Sequence, residues 1–152
     1  MPHVRKQIRD AITTALTGLT TTGTNVFSGR VHPFHNEGAQ LPGLCIYTTS
    51  EEVLNEDEDA LSHIQQRGCL YVVEGYASAA SPDSLEDTLD LISSQVEAAM
   101  FADQFFGGIA HGVDLVGTDI DINGEGNDPL GVIMMVFKII YLTGEGSPDS
   151  PL

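Results

Sequence analysis

Hydrophobic residues follow two spacings along this chain, one typical of helices and one typical of strands. Over residues 3–19 and 82–103, apolar side chains recur every three or four positions, which indicates amphipathic helices. Ser81 and Pro82 give the second helix a favourable N-cap and first position. The first apolar stripe is Val4, Ile8, Ile12, Ala15 and Leu19, and the second is Leu85, Leu89, Ile92, Val96, Ala99 and Met100.

Runs of β-branched and aromatic residues, several of them alternating with polar ones, predict strands in the rest of the chain. The predicted strands cover residues 26–33, 44–49, 65–77, 113–123 and 131–143. This order of elements predicts an α+β fold, with a mixed or antiparallel sheet of about four to five strands and two main helices packed on it. We expect one domain over residues 1–143, and a disordered tail over 144–152, which is rich in Gly, Ser and Pro.

The last predicted strand is apolar on both of its faces. Val132, Met134 and Val136 alternate with a second apolar set that includes Phe137 and Ile139. A strand of this kind needs cover on both sides. These five residues are therefore candidates for a subunit interface, in which a neighbouring copy supplies cover that a small domain lacks. The alternative is that the two helices of the same chain cover both faces.

Composition limits the class of protein. A chain of 152 residues with 41% hydrophobic side chains can bury a core, and no apolar run approaches the ~20 residues of a membrane helix. The N-terminal residues lead into a helix without the apolar run of a signal peptide, so we expect a cytosolic protein. The net charge of −16 repels nucleic acid. Such a charge suits a soluble acidic protein, or a surface that lies near DNA without holding it.

A dense acidic run follows the second predicted strand. Residues 51–59 contain six acids, and like charges at this density favour an extended, solvated loop. We interpret the run as a candidate partner-contact loop, and the alternative is a permanently solvated insertion. The acids are Glu51, Glu52, Glu56, Asp57, Glu58 and Asp59.

A second acidic segment has the spacing with which a calcium loop begins. Asp119, Asp121 and Asn123 alternate, but the position that needs a bidentate glutamate holds Leu130. The alternation instead indicates a strand with an acidic face that ends in a turn. The chain also lacks a nucleophile elbow and a phosphate-binding loop. We therefore expect no enzyme activity, no metal and no cofactor.

Four segments, in this order, resemble one protein family. They are the helix over residues 4–12; Arg30-Val31-His32-Pro33 with Leu41-Pro42-Gly43-Leu44-Cys45-Ile46-Tyr47-Thr48; the helix from Leu85-Glu86-Asp87-Thr88-Leu89-Asp90 to Met100; and Gly124-Glu125-Gly126 with Pro129-Leu130-Gly131-Val132, entering a strand that ends at Tyr141. Together they resemble the tail terminator family of long-tailed bacteriophages, related to the minor tail protein U of lambda-like phages. The acidic run at 51–59 departs from the shorter loop usual in that family.

The resemblance implies a structural protein of the virion tail or neck, assembled in the cytoplasm of the bacterial host. Tail terminators form a hexameric ring that caps the tail tube, ends its polymerisation and joins it to the head. The implied partners are further copies, the tail tube protein and a head-side connector or stopper protein, with no membrane. DNA would pass through the ring without specific binding, and Asp119 and Asp121 are the candidate channel-facing residues. The alternatives are another head–tail connector protein, such as a stopper or completion protein, or a small non-enzymatic α+β binding module.

Overall fold

A computed structural model describes residues 1–29, 41–54, 63–123 and 129–152. Two helices and six strands make up the regular structure of these ranges, together with a short 3-10 turn at Phe106–Gly108. The helices are α1 (Val4–Leu16) and α2 (Pro82–Ala102). The strands are β1 (Val26–Ser28), β2 (Gly43–Val53), β3 (Ile64–Ser78), β4 (Gly112–Asn123), β5 (Leu130–Gly144) and β6 (Ser147–Pro151).

The strands form one mixed sheet in the order β1-β2-β3-β5-β4, with β6 also paired to β5. The short β1 runs parallel to β2, whereas all other neighbouring strands are antiparallel. The predicted α+β fold class is thus confirmed, with β6 as a strand beyond the predicted set.

Both helices place their buried stripes on the same face of the sheet. The stripe of α1 is Val4, Ile8, Ile12 and Leu16, so the prediction of Ala15 as a core residue is wrong: the side chain at 16 completes the spacing of four, and Ala15 is exposed. The stripe of α2 is Leu85, Leu89, Ile92, Val96 and Met100. Beneath these stripes lie alternate side chains of β3 and β5, among them Tyr71, Val73, Phe137 and Tyr141.

A glycine on β3 sets how closely α2 approaches the sheet. A Cβ atom placed on Gly75 would lie 2.8 Å from Cγ2 of Ile92 and 2.9 Å from Cγ2 of Ile133. The side chain of Ile92 therefore occupies the space that any larger residue at this position would need. This contact makes the fit between helix and sheet sensitive to a single methyl group.

The expected disordered tail is wrong for most of residues 144–152. Strand β6 pairs with β5 through Gly144↔Ser147 and Thr143↔Pro151, and the amide of Leu152 donates to the Leu142 carbonyl at 2.8–3.0 Å range's upper value, 3.0 Å. The side chain of Gln7 also donates to the carbonyl of Asp149 at 2.8 Å. The segment is ordered because its backbone groups have partners on β5 and α1, which composition alone does not reveal.

Candidate assembly surface

The sheet has a second face, opposite the helices, which we call the open face. On β5 it carries Val132, Met134 and Val136, which are half-buried and alternate with the core residues. Their register partners on β3 are Tyr76, Glu74 and Val72, in that order. The buried stripes of both helices belong to the core on the other side, so in the described ranges no helix covers the open face.

The predicted subunit interface divides between the two faces of β5. Val132, Met134 and Val136 lie on the open face, where a partner can reach them. Phe137 and Ile139 have no exposed surface and belong to the core beneath the helices. Their assignment to an interface is wrong, because the strand alternates its side chains and the helices already cover the odd-numbered set.

A buried carboxylate lies between two tyrosines on the open face. The hydroxyl of Tyr47 donates to one oxygen of Glu74 at 2.5 Å, and the hydroxyl of Tyr76 donates to the other. Burial, followed by the hydrogen bond to Glu74, raises the pKa of Tyr76 above its ordinary value. The sequence analysis missed this group; its signal was a single acid within the apolar run of β3.

Asp119 and Asp121 lie on the same open face, next to the apolar residues of β5. Asp119 is the register partner of Met134, and Asp121 of Val132. Both carboxylates are exposed. The residues predicted for a channel wall and for an interface therefore share one surface, with an apolar centre and an acidic margin along β4.

The other side of β4 is less buried than the alternation predicts. Ile122 is half-buried, but Ile120 is 51% exposed, because β4 is the last strand of the sheet and no further strand lies beside it in the described ranges. The register also shifts between Leu115 and Gly117, where Val116 is exposed. Edge strands are often interrupted in this way by bulges.

Glu51 is part of a buried ion cluster and not of a loop. It lies on β2, its side chain is 8% exposed, and one carboxylate oxygen accepts from Arg67 at 2.9 Å and from Arg5 at 3.2 Å. The hydroxyl of Tyr141 donates to the other oxygen, and burial raises the pKa of that tyrosine. The predicted partner-contact role is wrong for Glu51, since two arginines and a phenol already surround its carboxylate.

Glu52 is also on β2, although it points to the open face. Its side chain is 65% exposed and pairs with Lys138 of β5 at 3.3 Å, across β3. Gly68 of β3 makes this pair possible, because a Cβ there would lie 2.7 Å from Cε of Lys138. Glu52 therefore belongs to a strand and not to a solvated loop. The remaining acids of the predicted loop, Glu56, Asp57, Glu58 and Asp59, lie outside the described residues.

Both cysteines are free and buried, as the sequence predicts. Burial raises the pKa of the Cys69 thiol to about 11. Within the described ranges, no three side chains of His, Cys, Asp or Glu come together as a metal site. No helix of those ranges is long and apolar enough to span a membrane.

No protein-family model matches the chain, and no curated protein matches its sequence. Among solved structures, the fold is similar to a chain described as "Virion of native gene transfer agent (GTA) particle". The superposition has a TM-score of 0.42 and 16% sequence identity, and it covers 91% of this chain and 90% of the other. A likeness of this size carries no functional conclusion for the present protein.

Proposed function

We propose that the chain is a structural virion protein of the tail terminator type. In this role it caps the phage tail tube as a hexameric ring, ends tube polymerisation and provides the surface that joins tail to head. The proposal places it in the tail or neck of the virion, after assembly in the host cytoplasm, and assigns it no catalytic activity. The order of sequence segments that resembles the terminator family is the starting point of this proposal.

The open face is the observation that carries the proposal. Apolar side chains from two adjacent central strands lie there side by side, and the described helices are all committed to the opposite face. Contiguous apolar patches on a soluble domain mark protein–protein contacts. Val132, Met134 and Val136 form the centre of this patch, and Tyr76 with Glu74 extends it. A virion protein that is covered by its neighbours would present such a face.

The charge of the chain supports a role beside DNA without binding to it. The net charge of −16 opposes any stable contact with phosphates. Asp119 and Asp121 are exposed on the open face and would contribute to an acidic channel wall in the assembled ring. Glu56 and its acidic neighbours keep their predicted role as a partner contact.

Two other functions belong to different classes. A stopper or completion protein would also assemble at the head–tail junction, but it would bind the connector in the absence of tail tubes. A small binding module would stay monomeric and would use the open face for a ligand or partner outside a virion. Assembly on tail tubes distinguishes both from a terminator.

The decisive experiment follows the mass of the protein alone and after mixing with purified tail tubes. We expect rings of several copies bound at tube ends, with no change on addition of EDTA. Met134→Asp would place a charge at the centre of the open face and should reduce assembly, whereas Thr49→Asp, at an exposed position of β2, is the control. A protein that remains monomeric in both conditions would exclude the terminator function.

A further inference from the structure

One end of the sheet carries a basic edge, formed by α1 and β2. Arg9 donates from Nη1 to Oγ1 of Thr48 at 3.1 Å, and Arg5 reaches Glu51 further along the same strand. These arginines are four residues apart and share one flank of α1. The other flank faces α2, because alanines of the two helices line a common groove: Ala11, Ala15, Ala99 and Ala102. The arginine flank therefore points outward, past the end of the sheet.

Strand β2 is itself an edge beyond the reach of β1. The pairing between them covers only residues 44–46 of β2 and ends at Ser28. Residues 48–53 continue further, and in the described ranges no strand lies on that side of them. Arg9 stands above this segment, and within the same ranges it is the arginine or lysine that forms no ion pair with a carboxylate. We call Arg9 with residues 48–53 the basic edge.

The opposite end of the sheet carries an acidic edge, formed by α2 and β4. The ring of Phe101 on α2 lies 6.4 Å from that of Phe137, whose register partner on β4 is Leu115. The side of α2 that carries Phe101 therefore faces β4. Glu97 and Asp90 lie four and eleven residues earlier, on the same side of the helix. The whole of α2 contains five acids and no lysine or arginine.

Ile120 completes the acidic edge. It lies on the helix side of β4, opposite Ile133 of the core, and yet it is half exposed. An exposed isoleucine on an edge strand, below a row of carboxylates, has the composition of an interface with an apolar centre and a charged margin. We call Glu97, Asp90 and Ile120 the acidic edge.

We propose that the acidic edge of one copy docks against the basic edge of the next, head to tail. The inference rests on the proposed function and identifies the contact between subunits of its ring. The occupant is a second copy because the two edges have opposite charge and lie at opposite ends of one sheet, so a single copy does not bring them together. Each copy then offers one edge of each kind, and a head-to-tail contact of this type forms a closed ring when its rotation allows.

The contact leaves the open face available for other partners. Its helix layer joins α2 of one copy to α1 of the next, and its sheet layer brings β4 beside residues 48–53. Asp119 and Asp121 point to the other side of β4 and take no part in it. The edges thus join the copies around the ring, while the open face can meet the tail tube or face the channel.

Two charge reversals test the contact. Variant one is Arg9→Glu, and variant two is Asp90→Arg with Glu97→Arg. Each variant alone places like charges at every contact, so we expect the concentration for half-maximal assembly to rise by about tenfold or more. Mixed in equal amounts, the two variants can alternate around a ring of even copy number, in which every contact again joins opposite charges. Assembly of the mixture should therefore recover to near the level of the unmodified chain.

The controls reverse charge on the same helices at outward-pointing positions. Lys6→Glu changes the net charge as Arg9→Glu does, and Asp87→Arg gives half of the change in variant two. Both controls should assemble as the unmodified chain does, alone and on tail tubes. Circular dichroism checks the fold of each variant, and Arg9→Gln replaces Arg9→Glu if the latter unfolds, with a smaller loss expected.

The outcomes separate this contact from the function on which it rests. Loss in each variant with recovery in the mixture supports the contact. If the unmodified chain forms rings on tail tubes and the variants do the same, the contact is overturned while the terminator function stands. Loss without recovery in the mixture of folded variants also overturns it. An unmodified chain that is monomeric in every condition overturns both.

Discussion

Replacing Glu51 by Gln distinguishes a residue that holds the fold together from a residue that meets a partner. The carboxylate is almost fully buried and lies between Arg67, which is 13% exposed, and the more exposed Arg5. The substitution keeps the size of the side chain and removes its charge. The arginines would then lie beside each other at the end of the sheet without a compensating anion.

The expected loss follows from the burial of this cluster. Removing one partner of a buried ion pair costs about 3–5 kcal/mol, since the remaining charge stays desolvated and unpaired. Arg5 is 41% exposed, and water screens its share of the interaction. Glutamine also keeps a hydrogen-bond acceptor for Arg67. We therefore expect the free energy of unfolding to fall by about 3 kcal/mol, which corresponds to roughly 6–12 °C in Tm for a domain of this size.

The adjacent residue provides a matched control. Glu52→Gln removes the same charge from the same strand, but that side chain is mostly exposed and pairs with Lys138 at the surface. Its loss should cost about 1 kcal/mol or less. Urea unfolding followed by circular dichroism measures both variants. Equal stability of the Glu51 and Glu52 variants, within about 0.5 kcal/mol, would refute the assignment of Glu51 to a stabilising cluster.

Three further predictions test other parts of the molecule. Gly75→Ala should lower the free energy of unfolding by about 1–3 kcal/mol through overlap with α2, whereas Gly117→Ala, where a Cβ has open space, should lie within about 0.5 kcal/mol of the unmodified chain in urea unfolding. Because the pKa of Cys69 is raised from 9.0 to about 11, the folded state keeps a proton that the unfolded state releases; stability should fall as pH rises from 9 towards 11, and Cys69→Ala should lack this part of the decline. Changing Asp119 and Asp121 to Lys should leave folding and assembly intact but slow DNA ejection from assembled particles at low salt, and normal low-salt ejection kinetics would place both residues outside the channel.

The elements with the strongest periodicity were predictable from the sequence. The stripe of α2 repeats at helical spacing from Leu85 to Met100 and has an N-cap at Ser81, so both its extent and its buried face match the structure. The alternation of β5 likewise predicts its two apolar faces. It does not show which face the helices cover, because both sets are equally apolar. Phe137 was therefore predicted to be an interface residue, although it belongs to the core.

The errors arose where partners lie far apart in sequence. Glu51 looked like part of a solvated acidic run until folding brought Arg5 and Arg67 to its carboxylate. Residues 147–151 looked disordered because Ser, Pro and Gly dominate there, but β5 offers them a free edge. Local composition reports the average behaviour of a segment and contains no information about such long-range contacts.

The mass of the protein on tail tubes tests the proposed function most directly. Purified protein is mixed with tubes, unbound chain is removed, and the mass and position of what remains are measured by scattering and electron microscopy. We predict a ring of six copies of the 16.2 kDa chain at one end of each tube, together with an arrest of tube growth. A chain that stays monomeric and leaves tube growth unchanged would contradict the terminator function.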